Sequence, residues 1–158
     1  MNTTRRSIAA ALAIATLLLG ASACSSGSSS STVSQKGISI SDAWARESAM
    51  SAGNGAAYFT IENTSDLVDK ILSASVSSSV AATAQIHEMA MGEGSMMTMK
   101  EVSSVQIPAG GTVAFEPGGY HVMLIDLAQP LKAGETIDLT LGFMNAGSIT
   151  VKAKVRSE

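Results

Sequence analysis

The sequence is poor in the residues from which most sites are built. Among 158 residues there are one cysteine, two histidines, three prolines and one tryptophan, and aromatic residues make up only 4 %. With Cys24 as the lone thiol, an intramolecular disulfide is impossible. No cluster of Lys or Arg exists beyond Arg5 and Arg6, so the electrostatic footprint of a nucleic-acid binder or of a polybasic membrane surface is missing. Nucleophile–histidine–acid sets and paired carboxylates are missing too, and Glu116 and Asp126 stand isolated. The Gly-Gly pairs at 110–111 and 118–119 sit in turns rather than in a phosphate-cradling loop. The chain is therefore read as a non-enzyme.

What is present begins with an export signal. "MNTTRRSIAAALAIATLLLGASAC" carries two arginines, an apolar run from Ile8 to Leu19, and small residues up to Cys24. That run is too short to span a bilayer comfortably. Cys24 after "GASA" resembles a bacterial lipobox, in which cleavage precedes the cysteine and its sulfur receives a diacylglycerol. The expected organisation is a signal peptide over residues 1–23, a lipid-anchored Ser/Gly-rich linker over 24–37, and one domain over 38–156. A dozen such linker residues reach about 20 Å from the membrane. The expected location is the outer face of the bacterial cell membrane, with the lipid as the only membrane contact; the alternative is a secreted or periplasmic protein. Cleavage removes Arg5 and Arg6 but no acid, leaving a net charge of about −5, a balance that tolerates a cationic ligand best.

From Gly37 on, short stretches alternate apolar and polar residues: "ISISDAWAR", "AAYFTIEN", "KILSASVS", "TAQIHEMAM", "SMMTMKEV", "VAFEP", "HVMLIDL", "TIDLTLGFM" and "SITVKAKV". Turn signals separate them, among them "NTSD", "PAGG", "EPGGY" and "NAGS". Only "SSSVAATAQ" could hold a short turn of helix. This spacing predicts an all-β domain, an antiparallel sandwich or barrel. Trp44 is read as a core residue, and Tyr120 should face away from its neighbour His121 on a regular strand.

Five of the nine methionines crowd into "HEMAMGEGSMMTM", residues 87–99. If Gly92-Glu93-Gly94 forms a three-residue connection, Met89 lies opposite Met97 and His87 opposite Met99. His87, Met89, Met91, Ser95, Met97 and Met99 then share a face, and Met96 points the other way. His121 and Met123 share a face on a second strand. Each histidine of the protein thus carries a methionine two positions on.

A single methionine or histidine of this kind is ordinarily a core filler or a satisfied polar group. As a set they admit a second reading, a Cu(I) site. Thioether sulfur is a soft ligand that selects Cu(I), imidazole suits copper, and neither adds negative charge. Zinc fits poorly without thiolates or clustered carboxylates. A type 1 electron-transfer copper site needs a Cys thiolate, which the domain lacks.

The spacing of His87, eleven residues, Met99, twenty-one residues, His121, one residue, Met123 resembles the signature of the PCuAC family of extracytoplasmic copper(I) chaperones. The surrounding "AWAR", "AAYFTIEN", "IHEMAM", "IPAGGTVAFEPGGYHVMLIDL" and "PLKAGETIDLTLGF" extend the resemblance over about residues 38–155. It implies a cupredoxin-like Greek-key antiparallel β-sandwich that holds one Cu(I) through His87, Met99, His121 and Met123. It also implies copper delivery toward the binuclear centre of cytochrome c oxidase subunit II, alongside Sco-type thioredoxin-like partners. The histidine- and methionine-rich tail of some relatives has no counterpart after "VKAKVRSE". Met89, Met91 and Met97 are then either a second shell or relay around the copper, or a hydrophobic rim that docks a partner. Two rival functions stay open: a copper-storage or detoxification lipoprotein, and an adhesion or ligand-binding sandwich that holds no metal. Binding through histidines should weaken below pH of about 6.5.

Overall fold

The computed structural model describes residues 31–48, 53–92 and 96–157. The signal segment, Cys24 and Ser95 lie outside the described residues. No helix occurs among the described residues; the chain forms β1 (Val33–Gln35), β2 (Ile38–Arg46), β3 (Gly55–Asn63), β4 (Asp69–Val76), β5 (Ala81–Met91), β6 (Met97–Glu101), β7 (Val105–Ile107), β8 (Thr112–Phe115), β9 (Tyr120–Leu127), β10 (Thr136–Phe143) and β11 (Gly147–Arg156). The alternating stretches all become strands, as their period of two requires. The possible helical turn does not form: Val80 N–H donates to Ser77 O in a turn, and Ala81 opens β5.

The strands lie in the order β6-β5-β9-β8-β3-β2-β11-β10-β4-β7, with β1 on β2 and an added β9–β3 pairing. Neighbours distant in sequence, such as β5 with β9 and β11 with β2, reflect the crossed connections of a Greek-key sandwich. Most pairings are antiparallel; β11 with β2 and β8 with β9 are parallel. The sheet curls until β4 packs near β5, and its inner face closes on one core. In β10 that face is Ile137, Leu139, Leu141 and Phe143, and in β11 it is Ile149, Val151, Ala153 and Val155. Each of these side chains except the smaller Ala153 contributes on the order of 1.5–3 kcal/mol by leaving water.

Two departures from the sequence reading have local causes. First, ordered structure begins inside the stretch assigned to the linker. β1 pairs with β2 through a two-residue turn in which Lys36 and Gly37 both take positive φ, 46° and 82°. Second, Trp44 is not in the core. The β2–β3 register breaks between Ser41 and Trp44, where Asp42 has φ 52°. This bulge inserts one residue, so Ile38 and Ile40 face inward before it and Ala45 after it. Trp44 and Arg46 are thereby turned to the outer face.

Strand sharing at β3 creates the site. One edge of β3 is covered by β2; the other is divided between β9, along Gly55–Ala57, and β8, along Phe59–Glu62. β9 therefore enters beside the first half of β3 and receives β5 on its far side.

Candidate metal centre

On β9, Val122 and Leu124 face the core, so His121 and Met123 face outward. Tyr120 packs against the core and stacks near Phe115, turned away from His121 as expected. The β5–β9 ladder sets His87 directly opposite His121 and Gln85 opposite Met123. The two imidazole centroids stand 5.9 Å apart.

The β5–β6 hairpin differs from the expected register. Met91 pairs with Met97, Met89 with Met99, and His87 with Glu101 rather than Met99. The connection runs from Gly92 to Met96, and Gly92 N–H donates to Met96 O. A loop two residues longer slides the partner strand by two positions. Because the side-chain period is also two, the face is conserved. His87, Met89, Met91, Met97 and Met99 all still share it, joined by Glu101; Met96 is an exposed loop residue rather than a strand residue of the opposite face. Met99 is thus a diagonal neighbour of His87 across the hairpin, and Met123 is its diagonal neighbour on β9. Diagonal Cβ atoms lie about 7–8 Å apart, within reach of long side chains.

Although it sits on the outer face, His121 is only 4 % exposed. A row of rings covers it. Tyr58 stands 6.4 Å from His121 between centroids, and Trp44 lies 4.5 Å from Tyr58. The Arg156 guanidinium sits 4.0 Å above Trp44, and that of Arg46 5.8 Å from Tyr58. Tyr58 is itself buried outside the main core, so this row is a second, smaller apolar layer.

Each histidine uses one ring nitrogen and leaves the other bare. His87 Nε2 donates to Gln85 Oε1 at 3.2 Å, and His121 Nδ1 donates to Gly119 O at 3.1 Å. The Gly119 carbonyl can only accept, so His121 carries its proton on Nδ1, and with Gln85 Oε1 turned to the ring His87 carries its proton on Nε2. His87 Nδ1 and His121 Nε2 are buried and have no hydrogen-bond partner. Of the fully buried polar residues, Asn63 bonds Leu67 O, Ile107 O and Ser65, and Asp69 accepts from Lys70, Asn145 and Ala146. An orphaned buried imidazole nitrogen costs about 1–3 kcal/mol, and here two stand together. Burial, then the neighbouring His121, pushes the His87 pKa below its ordinary value, against a weaker upward pull from Glu101. The ring is held neutral, as a metal ligand must be.

The structure therefore brings His87, His121 and Met123 together on one face and places Met99 at its rim. Gln85, Gly119 and Tyr58 are additional members that pattern reading did not single out. Period two was the available signal, since Gln85 and Gly119 each lie two residues before a histidine. Among the described residues no three His, Cys, Asp or Glu side chains gather to hold a metal.

A curled all-β domain with paired histidines and methionines on its outer face defines a PCuAC-type protein with a cupredoxin-like fold. The chain belongs to the LpqE-like family of putative lipoproteins, whose model matches residues 38–155. A putative lipoprotein of Leifsonia xyli subsp. xyli (strain CTCB07) is 33 % identical over 150 residues, covering 92 % of this chain and 88 % of its own. Among solved structures, the apo PCuAC domain of PmoF1 superposes with a TM-score of 0.70 at 25 % identity, covering 81 % of this chain and 100 % of that domain. The Cu(I) form of DR1885 from Deinococcus radiodurans gives 0.56 at 32 % identity, covering 74 % and 78 %.

Proposed function

We propose that this protein is an extracytoplasmic copper chaperone, not an enzyme, and that His87, His121, Met99 and Met123 hold one Cu(I) as cargo. The observation that carries this reading is the pair of buried, unpartnered imidazole nitrogens, His87 Nδ1 and His121 Nε2, on directly paired residues with thioethers as their diagonal neighbours. Their second nitrogens are engaged by Gln85 and a backbone carbonyl, the arrangement that orients metal-bound histidines. Thioether and imidazole ligands are neutral and select a soft monovalent ion. The similarity to a Cu(I)-bound PCuAC structure supports the same cargo.

Transfer proceeds by ligand exchange. Met99 sits on an exposed edge strand and can be displaced first by an incoming thiolate or thioether. The buried His121 is released last. No electron moves and no bond other than metal–ligand bonds changes. The recipient proposed is the copper centre of cytochrome c oxidase subunit II, reached directly or through a Sco-type partner, as the resemblance to PCuAC chaperones implies. Cys24 is the proposed lipidation site, which places the domain on the outer face of the cell membrane; the lipoprotein description of its relatives supports this.

Substituting His87→Ala or His121→Ala should lower Cu(I) affinity by more than about 100-fold, beyond the 10–100-fold that loss of an orienting partner costs. Competition against a Cu(I) chelator under reducing conditions measures it. Unchanged affinity in both variants would sink the assignment.

A further inference from the structure

We propose a second, all-thioether Cu(I) site formed by Met89, Met91 and Met97, which passes the ion to the histidine site through Met99. The inference rests on the Cu(I) reading of this face and extends it.

The β5–β6 ladder sets Met91 opposite Met97 and Met89 opposite Met99. Directly opposed Cβ atoms lie about 4.5–5.5 Å apart, and the two pairs are separated by two residues, about 7 Å along the strand. Four flexible side chains ending in sulfur thus form a compact block on one face. Met91 is 74 % exposed, Met97 52 % and Met99 49 %. None of these three belongs to the buried core: Met91 ends β5 exposed, and all five residues of β6 are exposed.

Strand stability does not explain them. Solvated edge strands favour β-branched residues and charges, and methionine is a weak strand former. An adaptable docking rim also favours methionine, for its flexibility rather than its sulfur, so the two readings divide on whether the sulfur is used. What methionine adds is the sulfur, a soft neutral donor for Cu(I). The block also has a direction. Met89 N–H bonds Gly119 O, next to the His121 loop, while Met91 and Met97 lie farther out toward the connection. Met99 belongs to both sets, as cross-strand partner of Met89 and diagonal neighbour of His87. An ion captured by the outer sulfurs moves inward by exchanging one thioether at a time, gaining imidazoles at the end.

Because leucine keeps size and hydrophobicity but lacks sulfur, the double variant Met91→Leu/Met97→Leu separates a metal site from a docking rim. Cu(I) titration of the full chain against a weak chelator should show a tight first equivalent and a weaker second one. In the leucine variant the second is lost and the tight one stays, which also reports an intact fold. In His87→Ala/His121→Ala the weaker equivalent should survive, with the same affinity at pH 7.5 and 5.5, since thioethers do not titrate. Saturation of the unmodified protein at one equivalent would overturn the proposal, as would a second equivalent that persists in the leucine variant. Either result leaves the histidine site standing, whereas a tight equivalent indifferent to both histidines would strike the histidine site alone.

Discussion

At the scale of single residues, the account turns on which nitrogen of each imidazole is engaged. Gln85 and the Gly119 carbonyl each accept a hydrogen bond from a histidine, and the second nitrogen of each ring stays buried without a partner on the two directly paired residues of the β5–β9 ladder. The depressed pKa of His87 gives this arrangement a pH signature. Between its folded value and 6.5 the unfolded chain binds a proton that folded His87 does not. The copper-free protein should therefore lose stability as pH falls below 6.5, with the loss complete below the folded value. Urea unfolding at pH 7.5 and 5.5 checks the sign, and His87→Gln should flatten the dependence. Cu(I) affinity should hold steady from pH 7.5 through 6.5 and fall only below the lowered folded value of His87, by up to about one decade per pH unit for proton competition there. Weakening sets in lower than an unperturbed histidine would give.

At the scale of elements, the alternation of single strands was legible and their offsets were not. "HVMLIDL" and "TAQIHEMAM" show which residues share a face, because that follows from the pleat alone. The hairpin register depended on how many residues of "GEGSM" belong to the loop, which nothing in the pattern specifies. His87 accordingly meets Glu101, two positions from the expected Met99, yet Met89, Met91, Met97 and Met99 kept their shared face while Met96 fell into the loop. The Asp42 bulge was invisible for a different reason: a residue with positive φ interrupts an alternation that reads as unbroken. It carries Trp44 and Arg46 out of the core to the ring layer that covers His121. β1 was missed because three residues beside a serine tract show too little periodicity. Its turn is strained against change: Gly37 has φ 82°, and a Cβ there would meet Ser65 Cβ at 2.9 Å. Gly37→Ala should cost about 1–3 kcal/mol in denaturant unfolding, with Cu(I) affinity unchanged because the turn contributes no ligand. A neutral effect on stability would mean that β1 adds nothing to the fold.

At the scale of the whole molecule, a scarcity of cysteine, histidine and charge sets what the protein can do. With no thiolate in the domain and only two histidines, the proposed site must draw its remaining donors from thioethers, which suits a soft ion. In the proposed function the tether and the fold act together, one holding the domain near the membrane, the other keeping an exchangeable ion at its surface. If Cys24 carries the lipid, Cys24→Ser should move the protein from the membrane fraction to the soluble fraction without altering Cu(I) affinity. Retention in the membrane fraction would argue against the anchor.

The central claim, that His87 and His121 present one bare nitrogen each to a shared Cu(I), is open to direct observation by long-range proton–nitrogen correlation of the histidine rings. Before copper, His87 should show a protonated Nε2 and His121 a protonated Nδ1. One equivalent of Cu(I), which is diamagnetic, should shift His87 Nδ1 and His121 Nε2 together and leave the protonated nitrogens in place. Ring nitrogens that do not respond to Cu(I), or a response confined to one histidine, would contradict it.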